Sequence, residues 1–119
     1  MSVFWIIAML KSMKNLAWFR AEGAQLREEE SIFDKMLYNE NGVKIKILEL
    51  AANTLTTPER RPSEAKYIFV LAGVVSIERE HNSSFKLCKH ESMLVPPRNW
   101  HGYKTYTEPV KVLEIVYGE

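Results

Sequence analysis

The sequence predicts an all-β barrel or sandwich. Short apolar runs, about eight to ten of them, follow one another along the chain. Turn-forming residues punctuate them at close spacing, and no stretch sustains the periodicity of a long helix. At 119 residues the chain is long enough to bury one core, so we read a single domain over residues 1–119. In that reading residues 1–30 form an N-terminal arm and residues 43–117 the barrel core.

Val3 to Leu10 is an apolar run, VFWIIAML, too short to span a bilayer, which takes roughly 20 residues. Lys11 and Lys14 follow the run rather than precede it, so it does not read as an export signal. Two readings stay open. The run is an extra or exchanged edge strand packed on a partner subunit, or an upstream extension before a start at Met9 or Met13. Leu16, Trp18 and Phe19 suit a short strand, and Ala21 to Glu30 a turn of helix or a solvated loop.

Ile32 to Tyr38 and Val43 to Leu50 flank Asn39-Glu40-Asn41-Gly42. Asn-Gly between apolar runs predicts a hairpin, because both residues tolerate positive φ. Alternation of Val43, Ile45 and Ile47 with Lys44 and Lys46 predicts that the first set is buried and the lysines are wet. Ala51 to Glu64 holds Pro58 and Pro62 and breaks the pattern. Tyr67 to Leu71 and Val74 to Glu78 are β-rich runs joined through Ala72-Gly73. Phe85 to Cys88, Met93 to Val95, Trp100 to Tyr106 and Val110 to Tyr117 complete the set, with Pro96-Pro97 ending one strand and Thr107-Glu108-Pro109 separating the last two.

Composition excludes several classes. Sixteen Lys plus Arg balance 15 Asp plus Glu for a net charge of +1, which gives no concentrated positive field for nucleic acid or a membrane surface. Cys88 is the single cysteine, so no intrachain disulfide forms and nothing indicates an oxidising compartment. A cytoplasmic protein is expected.

Two blocks, TPERRPSEAKYIFVLAG from Thr57 to Gly73 and HESMLVPPRNWH from His90 to His101, resemble the two motifs of the cupin superfamily. YIFVLAG resembles its glycine-terminated strand, and Pro96 and His101 the proline and histidine of its second motif. The match runs from about Leu50 to Val116. It implies a double-stranded β-helix, or jelly-roll barrel, usually a homodimer, often with a metal ion held by three His and one Glu.

The residues depart from that ligand set. Counted back from Gly73, the family's Glu falls on Lys66, and its two His positions fall on Glu59 and Arg61, or one register later on Arg60 and Pro62. His101 alone keeps its identity. A cation about 5 Å from a divalent ion costs on the order of 7 kcal/mol at an effective dielectric of about 20. No cofactor is therefore expected; were a divalent metal held, Glu59, Glu64 and His101 are the residues to regroup around it.

Losing the metal and gaining Arg61 and Lys66 suggests a pocket for a small, anionic molecule, with Glu59, Arg61, Lys66, Trp100, His101 and Tyr103 as ligand-binding residues. The alternative is that Glu59 or Glu64 already pairs with both cations. Tyr67, Phe69 and Tyr106 also suit a pocket lining, or the core. An enzyme is a second reading, either a metal-independent isomerase or epimerase using His101 and Lys66 as catalytic residues, with Glu91 or Glu114 to orient the imidazole, or a metal-dependent enzyme with rearranged ligands. A structural dimerisation module is a third. His81 and His90 fall in turns and are expected to be exposed.

Overall fold

The computed structural model describes residues 26–29 and 32–118. The apolar run Val3–Leu10 and the strand expected near Leu16 to Phe19 lie outside the described residues. Nine strands are described: β1 (Leu26–Glu29), β2 (Ile32–Glu40), β3 (Val43–Leu50), β4 (Glu64–Ala72), β5 (Val75–Arg79), β6 (Ser84–Leu87), β7 (Ser92–Val95), β8 (His101–Thr105) and β9 (Val110–Gly118). Leu26–Glu29 was expected as a helical turn or loop, yet it pairs antiparallel with β2. Sheet hydrogen bonds override a weak local pattern there.

The strands form two antiparallel sheets, one ordered β1-β2-β3-β9-β4-β7 and the other β6-β5-β8. The hairpin β2–β3 turns at Asn41 and Gly42, both left-handed at φ 55 and 73. That is the geometry for which Asn-Gly is suited. Gly73, at φ 85, lets the chain leave β4 in one sheet for β5 in the other, and a Cβ there would meet the Pro109 carbonyl at 2.7 Å.

Register fixes which side chains face inward, because directly paired residues share a face. Leu48, Val112 and Val70 form one inward row, and Lys46, Glu114 and Ile68 the next. Lys66 and Val116 follow. The expected burial of Val43–Leu50 is therefore inverted over most of the strand. Lys46, Leu48 and Leu50 point into the barrel, while Ile45 and Ile47 lie half-buried on the outer face beside Leu113 and Ile115. Alternation had defined two faces without saying which was inner, and the outer face of this sheet is itself apolar.

The core occupies one end of the barrel. Leu48, Leu50, Val70, Val110 and Val112 from the large sheet pack in one cluster with Val75, Ile77 and Leu87 from the small sheet. Each full burial of such a side chain contributes roughly 1.5–3 kcal/mol. Towards the other end the inward rows change from aliphatic to charged, and a cavity opens between the sheets.

Candidate functional site

The cavity has a volume of about 370 Å³, lined by Lys46, Thr56, Glu59, Arg61, Lys66, His101, Tyr103 and Glu114, with Ile32 and Leu48 among its apolar walls. Two kinds of backbone hold these groups. Lys46, Lys66 and Glu114 project from β3, β4 and β9. His101 and Tyr103 alternate inward from β8, whose burial pattern is consistent with a strand covered on that side.

Glu59 and Arg61 come instead from the proline-containing stretch after β3, which runs alongside β8 without forming a continuous ladder. Isolated bridges join Leu55 to Lys104 and Glu59 to His101. The Thr56 amide donates to the Tyr103 carbonyl at 2.9 Å, and the Thr54 amide to the Thr105 hydroxyl at 2.8 Å. Glu59 and His101 exchange backbone hydrogen bonds of 2.9 and 3.0 Å. The stretch that interrupts the sequence pattern is thus what carries two charged residues to the cavity.

The charges form one network. Lys66 Nζ donates to Glu59 Oε1 and lies 3.3 Å from Glu114 Oε2. The Tyr103 hydroxyl donates to that same Glu114 oxygen. Lys46 Nζ is 3.3 Å from Asp34 Oδ2 and 3.8 Å from Glu114 Oε1. Arg61 reaches Glu64 Oε1 at 3.1 Å and Glu59 Oε1 at 3.5 Å. His101 Nε2 also lies 3.5 Å from Glu59 Oε1. Each of the three lining cations therefore faces two carboxylates.

Those neighbours set the protonation states. Burial raises the Glu59 carboxyl, but the Lys66 charge and hydrogen bond, with Arg61 and His101, more than offset it and hold its pKa at about 2. Burial and then the Lys66 cation push His101 below its ordinary value, against the opposing Asn99 carbonyl, Glu59 and Glu114. Tyr103 is raised well above the usual phenol range by burial and by Glu114. At neutral pH Glu59 is ionised, His101 is a neutral imidazole and Tyr103 keeps its proton.

Most expected site residues do meet here: Glu59, Arg61, Lys66, His101 and Tyr103 all line the cavity. Trp100 does not. It is 42% exposed, sits under the Arg60 guanidinium at 5.8 Å and borders a smaller cavity of about 210 Å³. One step along a strand reverses the side a residue faces, and Trp100 immediately precedes inward-facing His101. Tyr67 and Phe69 lie half-buried on the outer face of β4, and Tyr106 is exposed. His81 and His90 are exposed, as expected, with His90 stacked on Phe69.

The orienting group for His101 is neither Glu91 nor Glu114. His101 Nδ1 faces the Asn99 carbonyl at 3.2 Å, whereas Glu91 accepts from the Cys88 amide at the surface. Lys46 and Asp34 were not assigned to the site from sequence, and Glu114 was considered only as a partner for His101, not for Lys46, Lys66 and Tyr103. Glu114 had a signal, since it shares the inward parity of Val112 and Val116 in an otherwise apolar run.

Neither a family model nor a curated protein sequence matches this chain. Solved structures do resemble it. KdgF from Halomonas sp. superposes with a TM-score of 0.73 at 14% identity, covering 87% of this chain and 95% of that one. An RmlC-like cupin from Shewanella frigidimarina gives 0.74 at 13% identity, covering 87% and 93%. The cupin domain of Schizosaccharomyces pombe Cnp3 gives 0.72 at 15%, covering 82% and 70%. The chain has the cupin fold.

The metal that this cupin barrel calls to mind does not fit the residues present. Among the described residues no group of three or more His, Cys, Asp or Glu is placed to hold a metal ion. Glu64 is engaged by Arg61, lies 3.9 Å from Lys44 and is not among the residues lining the cavity with Glu59 and His101. Lys66 puts an ammonium between Glu59 and Glu114, where a divalent ion would meet direct repulsion.

Proposed function

We propose that the protein binds a small polar molecule in the charged cavity of its cupin barrel, with no resident metal. One observation carries this reading. Arg61 Nε, His101 Nε2 and Glu114 Oε1 are buried without a hydrogen bond, Glu59 standing off at 3.5 Å from each of the first two and Lys46 at 3.8 Å from the third, and all three residues line the same cavity. A buried polar atom left unpaired costs about 1–3 kcal/mol, so a convergent set of them is best explained by a guest that satisfies them. Thermal unfolding against sugars, organic acids, nucleotides and metals tests it. A ligand at about 100 times its dissociation constant adds roughly 2.7 kcal/mol. No shift with any compound would sink the reading, and so would near-stoichiometric Fe, Mn, Ni or Zn in untagged protein.

A second reading, a metal-independent isomerase, is favoured by the state of His101. Its Nδ1 faces a carbonyl, its Nε2 accepts no hydrogen bond, and its pKa is lowered, which together suit a proton acceptor. Exchange of a bound ligand's C–H for deuterium in D2O, lost in His101→Gln, would support it. We also propose a cytoplasmic homodimer. The half-buried apolar outer face of Ile45, Ile47, Tyr67, Phe69, Leu113 and Ile115 supports the dimer, and the lone Cys88 the compartment. Light scattering gives the mass; a monomer at micromolar concentration argues against dimerisation.

A further inference from the structure

The three unpartnered atoms differ in kind, and the difference describes the guest. Glu114 Oε1 is an acceptor. So is His101 Nε2, because the ring proton sits on Nδ1 opposite the Asn99 carbonyl. Arg61 Nε is a donor. Burial makes these requirements strict: Glu114 is 1% exposed and His101 3%. Both face the cavity from rigid strands rather than from movable surface.

Charge narrows the class further. Lys46, Arg61 and Lys66 each face two of the carboxylates Asp34, Glu59, Glu64 and Glu114, and Lys44 lies 3.9 Å from Glu64, so four cations stand against four carboxylates. An incoming anion would meet those carboxylates and find each lining cation already paired. An incoming cation would meet two ammonium groups and a guanidinium. The cavity therefore asks for no net charge, but for groups that donate at two points and accept at a third. A hydroxyl does both. A volume of about 370 Å³ falls at the small end of ligand pockets, which span roughly 300–1,000 Å³, and Ile32 and Leu48 offer apolar surface for C–H faces.

We propose that the guest is an uncharged polyhydroxylated molecule of sugar or cyclitol size. One hydroxyl donates to His101 Nε2, a second to Glu114 Oε1, and a ligand oxygen accepts from Arg61 Nε. This deepens the reading of the cavity as a binding site and rests on it.

Calorimetry with glucose, xylose and myo-inositol, against glucuronate and gluconate as matched acids and glucosamine as a matched amine, tests the class. The expected result is that at least one neutral compound binds about tenfold or more tighter than the acids and the amine. His101→Leu, its folding checked by thermal unfolding, should then weaken that compound by about tenfold, the loss of one hydrogen bond. The ¹⁵N resonance of His101 Nε2 in the wild-type protein should move on binding, whether or not the variant folds. Tighter binding of an acid or of the amine overturns the neutral class while leaving the cavity a binding site. Binding of a neutral compound that leaves the Nε2 resonance unmoved overturns the placement. No binding by any of the six overturns this inference, and the function proposed above falls with it only if the wider thermal-unfolding panel is silent as well.

Discussion

The two walls of the cavity are built differently. On one side, Lys46, Glu114 and Lys66 stand on neighbouring strands β3, β9 and β4, with β9 hydrogen-bonded on both edges. On the other, Glu59 and Arg61 sit on a stretch tied to β8 by two isolated bridges and a few side-chain hydrogen bonds. Glu114 is 1% exposed, whereas the Glu59 side chain is 45% exposed. Both carboxylates contact the same ammonium, that of Lys66. An identical ion pair therefore carries different weight on each side, because desolvation and water screening set the value of a charge more than its distance does.

The largest expected effect comes from breaking the sheet side. Glu114→Ala removes the carboxylate shared by Lys66, Lys46 and Tyr103, leaving the buried Tyr103 hydroxyl without an acceptor and each lysine with one carboxylate instead of two, so urea unfolding should show a loss of about 3–5 kcal/mol. A loss below about 1 kcal/mol would mean that water enters this wall as freely as the other. Tyr103→Phe is the intermediate case. It deletes one hydrogen bond to a charged acceptor and keeps the ring, for an expected cost of roughly 1.5–3 kcal/mol in the same measurement.

The smallest effect belongs to the tethered side. Glu59→Ala should cost less than about 1 kcal/mol at neutral pH, because its carboxylate is screened. Its pKa, lowered from 4.5 to about 2, gives that small contribution a direction. It is complete above about 4.5 and disappears as pH falls towards 2. A plot of melting temperature against pH for wild type and Glu59→Ala should converge across that window. Curves that stay parallel would place the effect in backbone packing rather than in the charge.

Sequence made the framework legible where local chemistry and tertiary structure agree. Asn41-Gly42 named its hairpin and Gly73 the joint between β4 and β5, while Pro96-Pro97 marked the end of β7, because each answers a backbone demand that few other residues meet. The sheet edge at Leu26–Glu29 was not legible, since its pairing with β2 depends on a partner and not on its own pattern. The inward face of β3 was misread because both of its faces carry aliphatic residues, and only the pairing with β9 decides between them. In the site, resemblance located Glu59, Arg61, Lys66 and His101 together. It suggested an electropositive pocket because it counted the residues of two motifs and not their cross-strand partners. Glu59 and Glu64 were legible as possible partners of both cations, whereas Glu114 and Lys46, on β9 and β3, joined the network only with the register.

Lys66 supplies from the chain itself a positive charge between two carboxylates of the cavity. Its ammonium reaches Glu59 and Glu114 on a four-carbon arm from β4, so its effective concentration at the carboxylates is fixed by the covalent chain. A counter-ion supplied this way cannot be chelated, exchanged or starved. That share of the barrel's charge balance is carried by the chain itself.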